Sequence, residues 1–274
     1  MCWTKNGDAF LFYARIGDAG YFTKKGSFNK MLRELNIQTR VKAKEDYLNG
    51  ELLLIDKPLQ WTSFQAVNKL KWVLKKRFNL KKIKIGHAGT LDPLATGLLL
   101  VCVGKFTKKI HEFQGLEKEY TGSITLGATT PSYDMETEID NTFNTDHITE
   151  QLIRETTAKF IGEIDQAPPI FSALKKDGKR LYEYAREGKQ VTIPTRKIMI
   201  SEFEITGIAF PKISFRIMCS KGTYIRSIAH DFGKALASGA YLSSLRRTKI
   251  GVYNVDNALD PMSFEEIVLK EIDS

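Results

Sequence analysis

The densest candidate for chemistry is Gly86-His87-Ala88-Gly89-Thr90-Leu91-Asp92-Pro93-Leu94-Ala95-Thr96-Gly97. It holds three glycines, one proline and a single acid. Pro93 biases the backbone of Asp92 away from the helical region, so the carboxylate sits on an extended or turned segment. A carboxylate held that way can serve as a nucleophile or as a general acid or base. It can equally be a turn residue that does no chemistry. The surrounding motifs narrow the choice by absence. No GxxxxGK[ST] or GxGxxG loop is present, nor a GxSxG elbow or an HExxH helix. Phosphate-loop, dinucleotide, serine-hydrolase and zinc-protease chemistries therefore lack their usual parts. What remains is one candidate carboxylate and a basic surface.

Elements must hold that loop in place. Glu51–Asp56 reads as a buried strand, and Pro58 ends it. Thr62 and Gln65 have the spacing of a capping box. Phe64, Val67, Leu70 and Leu74 follow at helical spacing, which predicts a helix to about Arg77 with those four facing inward. Leu98–Val103, between Gly97 and Gly104, reads as a strand buried on both faces. Tyr120–Leu126 predicts a further strand. Thr149 caps a helix over 150–161. Leu181–Arg186 is a short helix closed by Gly188. Strands are expected over 197–206 and 212–219, then a helix over Ile225–Ala237. This irregular interleaving points to an α+β fold on a mixed sheet.

The chain has 274 residues, of which 42 % are apolar, enough for a sizeable core. The longest apolar run, Leu98–Val103, is too short to span a membrane. The N-terminus carries no secretory pattern, and Cys2, Cys102 and Cys219 form no CxxC pair. A cytoplasmic protein without disulfide or zinc scaffold is expected.

Lys plus Arg exceed Asp plus Glu by 41 to 32, a net charge of +9. From Lys69 to Lys84 there are eight basic residues in sixteen and no acid, whereas Pro131 to Asp165 holds nine acids. Such a basic run is either a solvated helix face or a phosphate-binding surface, and the complete lack of acids favours phosphate.

Several segments, in order, resemble the TruB family, the tRNA pseudouridine-55 synthases. They are Asp56-Lys57-Pro58 with Thr62-Ser63, Gly86–Leu99, Lys118-Glu119-Tyr120, and Gln166-Ala167-Pro168-Pro169 with Ser172-Ala173. Gly178, Tyr182 and Ala185–Gly188 follow, then Lys221–Ser227 and Leu245-Arg246-Arg247-Thr248. The resemblance spans about residues 48–256. It implies a pseudouridine synthase fold: a central mixed, largely antiparallel β-sheet flanked by helices and loops. It also implies isomerisation of uridine in the T stem-loop of tRNA, without a cofactor or metal.

Residue by residue, the resemblance makes Asp92 the catalytic carboxylate, attacking either sugar or base. Tyr120 would stack on the flipped uracil, and Tyr224 and Arg226 would complete the substrate site. Arg226 would attract the Asp92 carboxylate by its charge. Leu245 would wall the uracil pocket, and His87 would lie near the target nucleotide. The role of Lys57 stays open. Lys75, Lys76, Arg77, Arg246 and Arg247 would contact the RNA backbone.

The chain departs from the family pattern at Gln60, where Gly is usual, and at Phe171, where Tyr is usual. Residues 1–47 are expected as an N-terminal extension, with Met31 a possible later start. Residues 257–274 are expected as a short acidic tail in place of a full RNA-binding PUA domain. The alternative reading is a non-catalytic RNA-binding protein or tRNA folding chaperone on the same scaffold; a third is a synthase of another RNA. A monomer is expected.

Overall fold

A computed structural model describes residues 41–172, 174–188 and 191–270. Residues 1–40, with Cys2 and Met31, and residues 271–274 lie outside the described residues.

The two continuous apolar runs become neighbouring strands. β1 (Glu51–Lys57) and β3 (Ala95–Val103) are buried along nearly their whole length. They pair antiparallel, with Glu51 opposite Val103 and Lys57 opposite Gly97. β2 (Ile85–His87) pairs with the far end of β3, Ile85 opposite Val103. The sheet continues through β4 (Lys118–Leu126), β5 (Gly162–Gln166), β6 (Arg196–Ala209), β7 (Lys212–Cys219), β8 (Ala240–Ile250) and β9 (Tyr253–Asn254). Its order is β1-β3-β8-β4-β7-β6-β5, with β9 on β8. The β3–β8 pairing is parallel and the others are antiparallel. The expected α+β fold on a mixed, largely antiparallel sheet is therefore present.

The helix expected from the capping box is α2 (Ser63–Arg77), preceded by α1 (Lys44–Asn49). Thr62 Oγ1 accepts from Gln65 N, and Gln65 Oε1 accepts from Thr62 N. Ala66, Val67, Leu70, Val73 and Leu74 are buried, but Phe64 is exposed, against expectation. At 100° per residue, Phe64 lies about 120° round the helix from Leu70, off the buried stripe. α3 (Glu150–Thr156) is capped by Thr149 as expected and continues as a 3₁₀ turn to Phe160. α4 (Ile225–Ala235) packs Ile228, Ala229 and Phe232 against the sheet, with Phe232 beside Phe203.

α5 (Pro261–Lys270) buries Phe264 and Val268 in the same cluster as Leu70, Leu74 and Tyr47. The segments expected as an extension and a tail thus reach into the core at residues 47, 264 and 268. Lys69 on α2 pairs with Glu265 on α5 at 2.5 Å.

Candidate active site

Three elements fix the loop between β2 and β3. Ser63, the first residue of α2, accepts Leu91 N at 2.8 Å and donates to Leu91 O at 3.1 Å. The loop after β1 contributes Gln60 N to Pro93 O at 2.8 Å. Ala95 N closes onto Asp92 O at 3.1 Å. Gln60 has φ +65°, the left-handed region that favours glycine. The departure from Gly is therefore accommodated in place, with its bond to the Asp92 loop intact. Asp92 emerges from this frame with its side chain 42 % exposed.

Arg226 comes from the opposite direction, as the second residue of α4. The start of that helix is held by Gln166 on β5, whose amide accepts Tyr224 N at 2.8 Å and donates to Tyr224 O at 3.0 Å. Arg226 Nη2 lies 2.9 Å from Asp92 Oδ2, and its Nη1 donates to Ser132 O at 3.2 Å. Its Nε faces a second carboxylate, Asp134 Oδ2, at 3.6 Å. Asp134 is itself buried and accepts the Ser132 hydroxyl at 2.6 Å and Glu136 N at 2.9 Å. One guanidinium is thus clamped between two carboxylates.

A cleft of about 330 Å³ opens over this pair. Leu59, Leu94, Leu242 and Leu245 supply apolar walls, Met135 adds to them, and Ser243 and Ser244 line one side. Leu245 is brought to the site as expected. Tyr120, His87 and Tyr224 are not among the lining residues. Tyr120 is buried on β4, opposite Arg247 of β8. Burial pushes its phenol up, against the pull of the Arg247 cation. His87, at the end of β2, is pushed down by burial and then by Arg247, so its imidazole is neutral near pH 7. The Tyr224 ring lies 4.6 Å from the Arg196 guanidinium.

Arg247 requires a correction. The sequence reading puts it at RNA phosphates, yet it is 1 % exposed. Its Nε donates to Leu98 O at 2.7 Å and its Nη2 to Gly89 O at 3.1 Å. Successive strand residues face opposite sides, so Arg246 and Arg247 cannot share a surface. Arg247 ties the Asp92 loop to β3 from within. The main chain passes so close that a Cβ on Gly97 would lie 2.3 Å from Arg247 O. Arg246 faces the other way and forks onto Asp56, at 3.0 and 2.6 Å.

Lys57, left open by the sequence, is fully buried and donates to Pro58 O and Trp61 O at 2.9 and 2.5 Å. Burial pushes it down to about 8, while the Asp92 charge pulls it upward. Lys57 therefore lies within electrostatic reach of Asp92. Asp134, Ser132 and Ser243-Ser244 carry no signal in the sequence. Asp134 stands in an acidic stretch that reads as solvated, and nothing in its spacing marks it as buried.

Lys75, Lys76 and Arg77 form the last turn of α2, a helix length from Asp92. Lys75 opens into a second cleft of about 690 Å³, shared with Lys71, Lys81, Lys82, Lys84, Lys105 and Lys108. No acid is among its lining residues. Lys76 instead lies 5.0 Å from the Trp72 ring. Among the described residues no cluster of His, Cys, Asp or Glu is arranged to hold a metal ion.

The sequence profile of the TruB family pseudouridylate synthase (N terminal domain) matches residues 75–225. The tRNA pseudouridine synthase B of Flavobacterium johnsoniae is 68 % identical over 223 residues, 81 % of this chain and 97 % of that protein. That of Phocaeicola vulgatus is 51 % identical over 221 residues, covering 81 % and 94 %. Among solved structures, a Cbf5-Nop10-Gar1 complex matches with TM-score 0.59 and 30 % identity, over 80 % of this chain and 54 % of that one. An H/ACA RNP bound to a substrate RNA containing 2′-deoxyuridine matches with TM-score 0.60 and 26 % identity, over 85 % and 58 %. The chain thus spans little more than half the length of those solved chains. The profile covers more than half of the sequence, and the relatives match along nearly their whole length: the chain belongs to the TruB family of pseudouridylate synthases.

Proposed function

We propose that this protein is a tRNA pseudouridine synthase that converts one uridine of the T stem-loop to pseudouridine, with Asp92 as the catalytic carboxylate. The observation that carries the reading is the pair formed by an open Asp92 and a buried Arg226 at 2.9 Å, set at the floor of a cleft with leucine walls. A non-catalytic RNA binder has no use for a carboxylate held that way, which disfavours the chaperone reading. The names of the two relatives described above supply the substrate, tRNA.

The reaction is an isomerisation. The N1–C1′ bond of uridine breaks and a C5–C1′ bond forms. The C5 proton leaves and N1 gains one, so no electrons enter or depart. Asp92 attacks covalently, at sugar or base, and splits one hard step into easier ones. Arg226, held by Ser132 and Asp134, keeps the carboxylate aimed while its other face stays open. Leu245 packs against the base. Tyr120 lies within electrostatic reach of Asp92; to take the C5 proton its phenol must first give up its own, which its burial opposes. His87 and Tyr224 complete the surroundings of the target nucleotide.

The target base must leave its stack to reach the cleft, at a cost of a few kcal/mol. Phosphate contacts supply the holding force. α2 begins beside Leu91 and ends in Lys75-Lys76-Arg77 about 22 Å away. The lysine-lined cleft beside that end suits an RNA backbone whose loop occupies the Asp92 cleft. Arg246 reaches RNA only by sharing its Asp56 partner. We take residues 48–256 as the catalytic unit, acting as a monomer in the cytoplasm. No helix among the described residues is long and apolar enough to cross a membrane.

The test is to incubate the purified protein with unmodified tRNA and map pseudouridine along it. A single new pseudouridine in the T loop is expected. Modification elsewhere, or none, would overturn the assignment.

A further inference from the structure

The wall of the Asp92 cleft carries a group of hydroxyls that the catalytic reading does not use. β8 has a register shift against β4 between Leu242 and Ser244, so Ser243 is an extra, bulged residue. A bulge breaks the alternation of a strand and re-aims side chains. Here both Ser243 and Ser244 line the cleft, and both reach the buried hydroxyl of Ser123 on β4. Ser123 Oγ lies 2.9 Å from Ser243 Oγ and 2.7 Å from Ser244 Oγ. The strands approach this closely because Gly122 has no side chain: a Cβ there would lie 2.2 Å from Ser244 O.

The protons of this group can be placed. Ser243 donates to Ser123 O at 3.1 Å, so its proton is committed. The Ser123 proton then goes to Ser243 or to Ser244. In the first case Ser244 donates back to Ser123 and offers the cleft only lone pairs. In the second, Ser244 receives a bond and its own proton is free to point into the cleft. Rotation of two hydroxyls interconverts these states without moving charge. Ser244, the most exposed of the three, is therefore a wall group that can accept or donate on demand.

That property fits a base that changes orientation while bound. Uracil presents acceptors at O2 and O4 and a donor at N3. When it rotates in its own plane to bring C5 to C1′, N1 takes the place of N3, so a wall group that accepted from N3–H meets first the N1 lone pair and then, in the product, an N1–H donor. A fixed donor or acceptor would match only one orientation. We propose that Ser244, backed by Ser123 and Ser243, is the hydrogen-bonding contact that holds the uracil edge before and after its turn. The inference rests on the reading that the Asp92 cleft receives the uracil.

The experiment compares single-turnover rates and tRNA dissociation constants for wild type, Ser244→Ala, Ser244→Thr and Ser123→Ala/Ser244→Ala. Ser244→Ala should lower the rate roughly threefold to tenfold, the size of one hydrogen bond. Affinity should stay unchanged, because phosphates dominate it. Ser244→Thr should restore the rate to within about twofold, and the double variant should be little slower than Ser244→Ala, since the hydroxyls act as one unit. A wild-type rate in Ser244→Ala, no restoration by threonine, or a loss appearing only in affinity would each overturn the proposal. A wild-type protein that makes no pseudouridine would instead remove the underlying assignment, and the proposal with it.

Discussion

The Arg226 guanidinium meets the Asp92 carboxylate at 2.9 Å, and the two differ sharply in burial: 5 % of the arginine side chain is exposed against 42 % of the aspartate. The cation is the fixed member. Ser132 O accepts from its Nη1, and Asp134 faces its Nε at 3.6 Å. The carboxylate is the open member, steered from behind and accessible in front. That asymmetry suits a nucleophile better than a structural ion pair.

Removing Arg226 should therefore act in two separable ways. Arg226→Ala strands the buried carboxylate of Asp134, which should destabilise the fold by about 3–5 kcal/mol. It should also reduce turnover by at least about a hundredfold. Placed on Asp92→Asn, the same change should lower turnover little further while keeping its full stability loss, because both residues act through one unit. Chemical denaturation and turnover on the four proteins check this. Additive turnover losses would show that the two residues work independently.

Arg246 and Arg247 offer a contrast. Arg247→Met leaves two buried carbonyls, Leu98 O and Gly89 O, without their donor, and should destabilise by about 2–4 kcal/mol. The salt dependence of tRNA binding should not change. A flattened salt slope with unaltered stability would return Arg247 to the RNA surface.

The lysine cleft should show the opposite behaviour. Replacing Lys75, Lys81 and Lys82 with Ala should leave stability nearly intact. It should lower the slope of log affinity against log salt by roughly 0.7–0.9 for each phosphate that the variant no longer neutralises. Turnover at saturating tRNA should stay within about twofold of wild type. Filter binding across a salt series decides it; an unchanged slope would make this cleft a solvated surface.

Much of this arrangement is legible in the residues alone. The capping box at Thr62 and Gln65, the apolar run of β3 and the Gly/Pro-punctuated loop carry local signals, and each forms where expected. β8 has no such signal. Its Leu242–Arg247 segment mixes two serines, two leucines and two arginines, and its register shifts break the period of two that marks a strand. Burial of charge is equally hidden. Without the fold, Arg226 reads as a solvated helix end, Arg247 as a phosphate contact and Asp134 as one acid in an acidic stretch. Arg226 meets Asp134 across 92 residues of sequence, and Arg247 meets Gly89 across 158. Only the packed sheet brings those groups together.

Lys118 gives a pH signature of the fold. Its ammonium donates to Gln114 O and Leu116 O, and burial pushes it down to about 8 from an ordinary 10.5. Between pH 8 and 10.5 the unfolded chain holds a proton that the folded chain has released, so this group's contribution to stability rises with pH. The stability of wild type relative to Lys118→Met should improve by at least about 1 kcal/mol from roughly pH 7.5 to roughly pH 10. Urea midpoints at both pH values measure it. A constant difference would mean that the lysine keeps its ordinary affinity for the proton.

Asp92→Asn keeps the size of the side chain and removes its nucleophilic charge. Release of tritium from tRNA labelled at uracil C5 reports bond rearrangement directly, and filter binding on the same sample reports RNA affinity. Turnover should fall by several orders of magnitude with binding preserved, since covalent catalysis is abolished outright while phosphate contacts remain. An Asp92→Asn protein that retains more than about a tenth of wild-type tritium release would contradict the assignment, even if it binds tRNA normally.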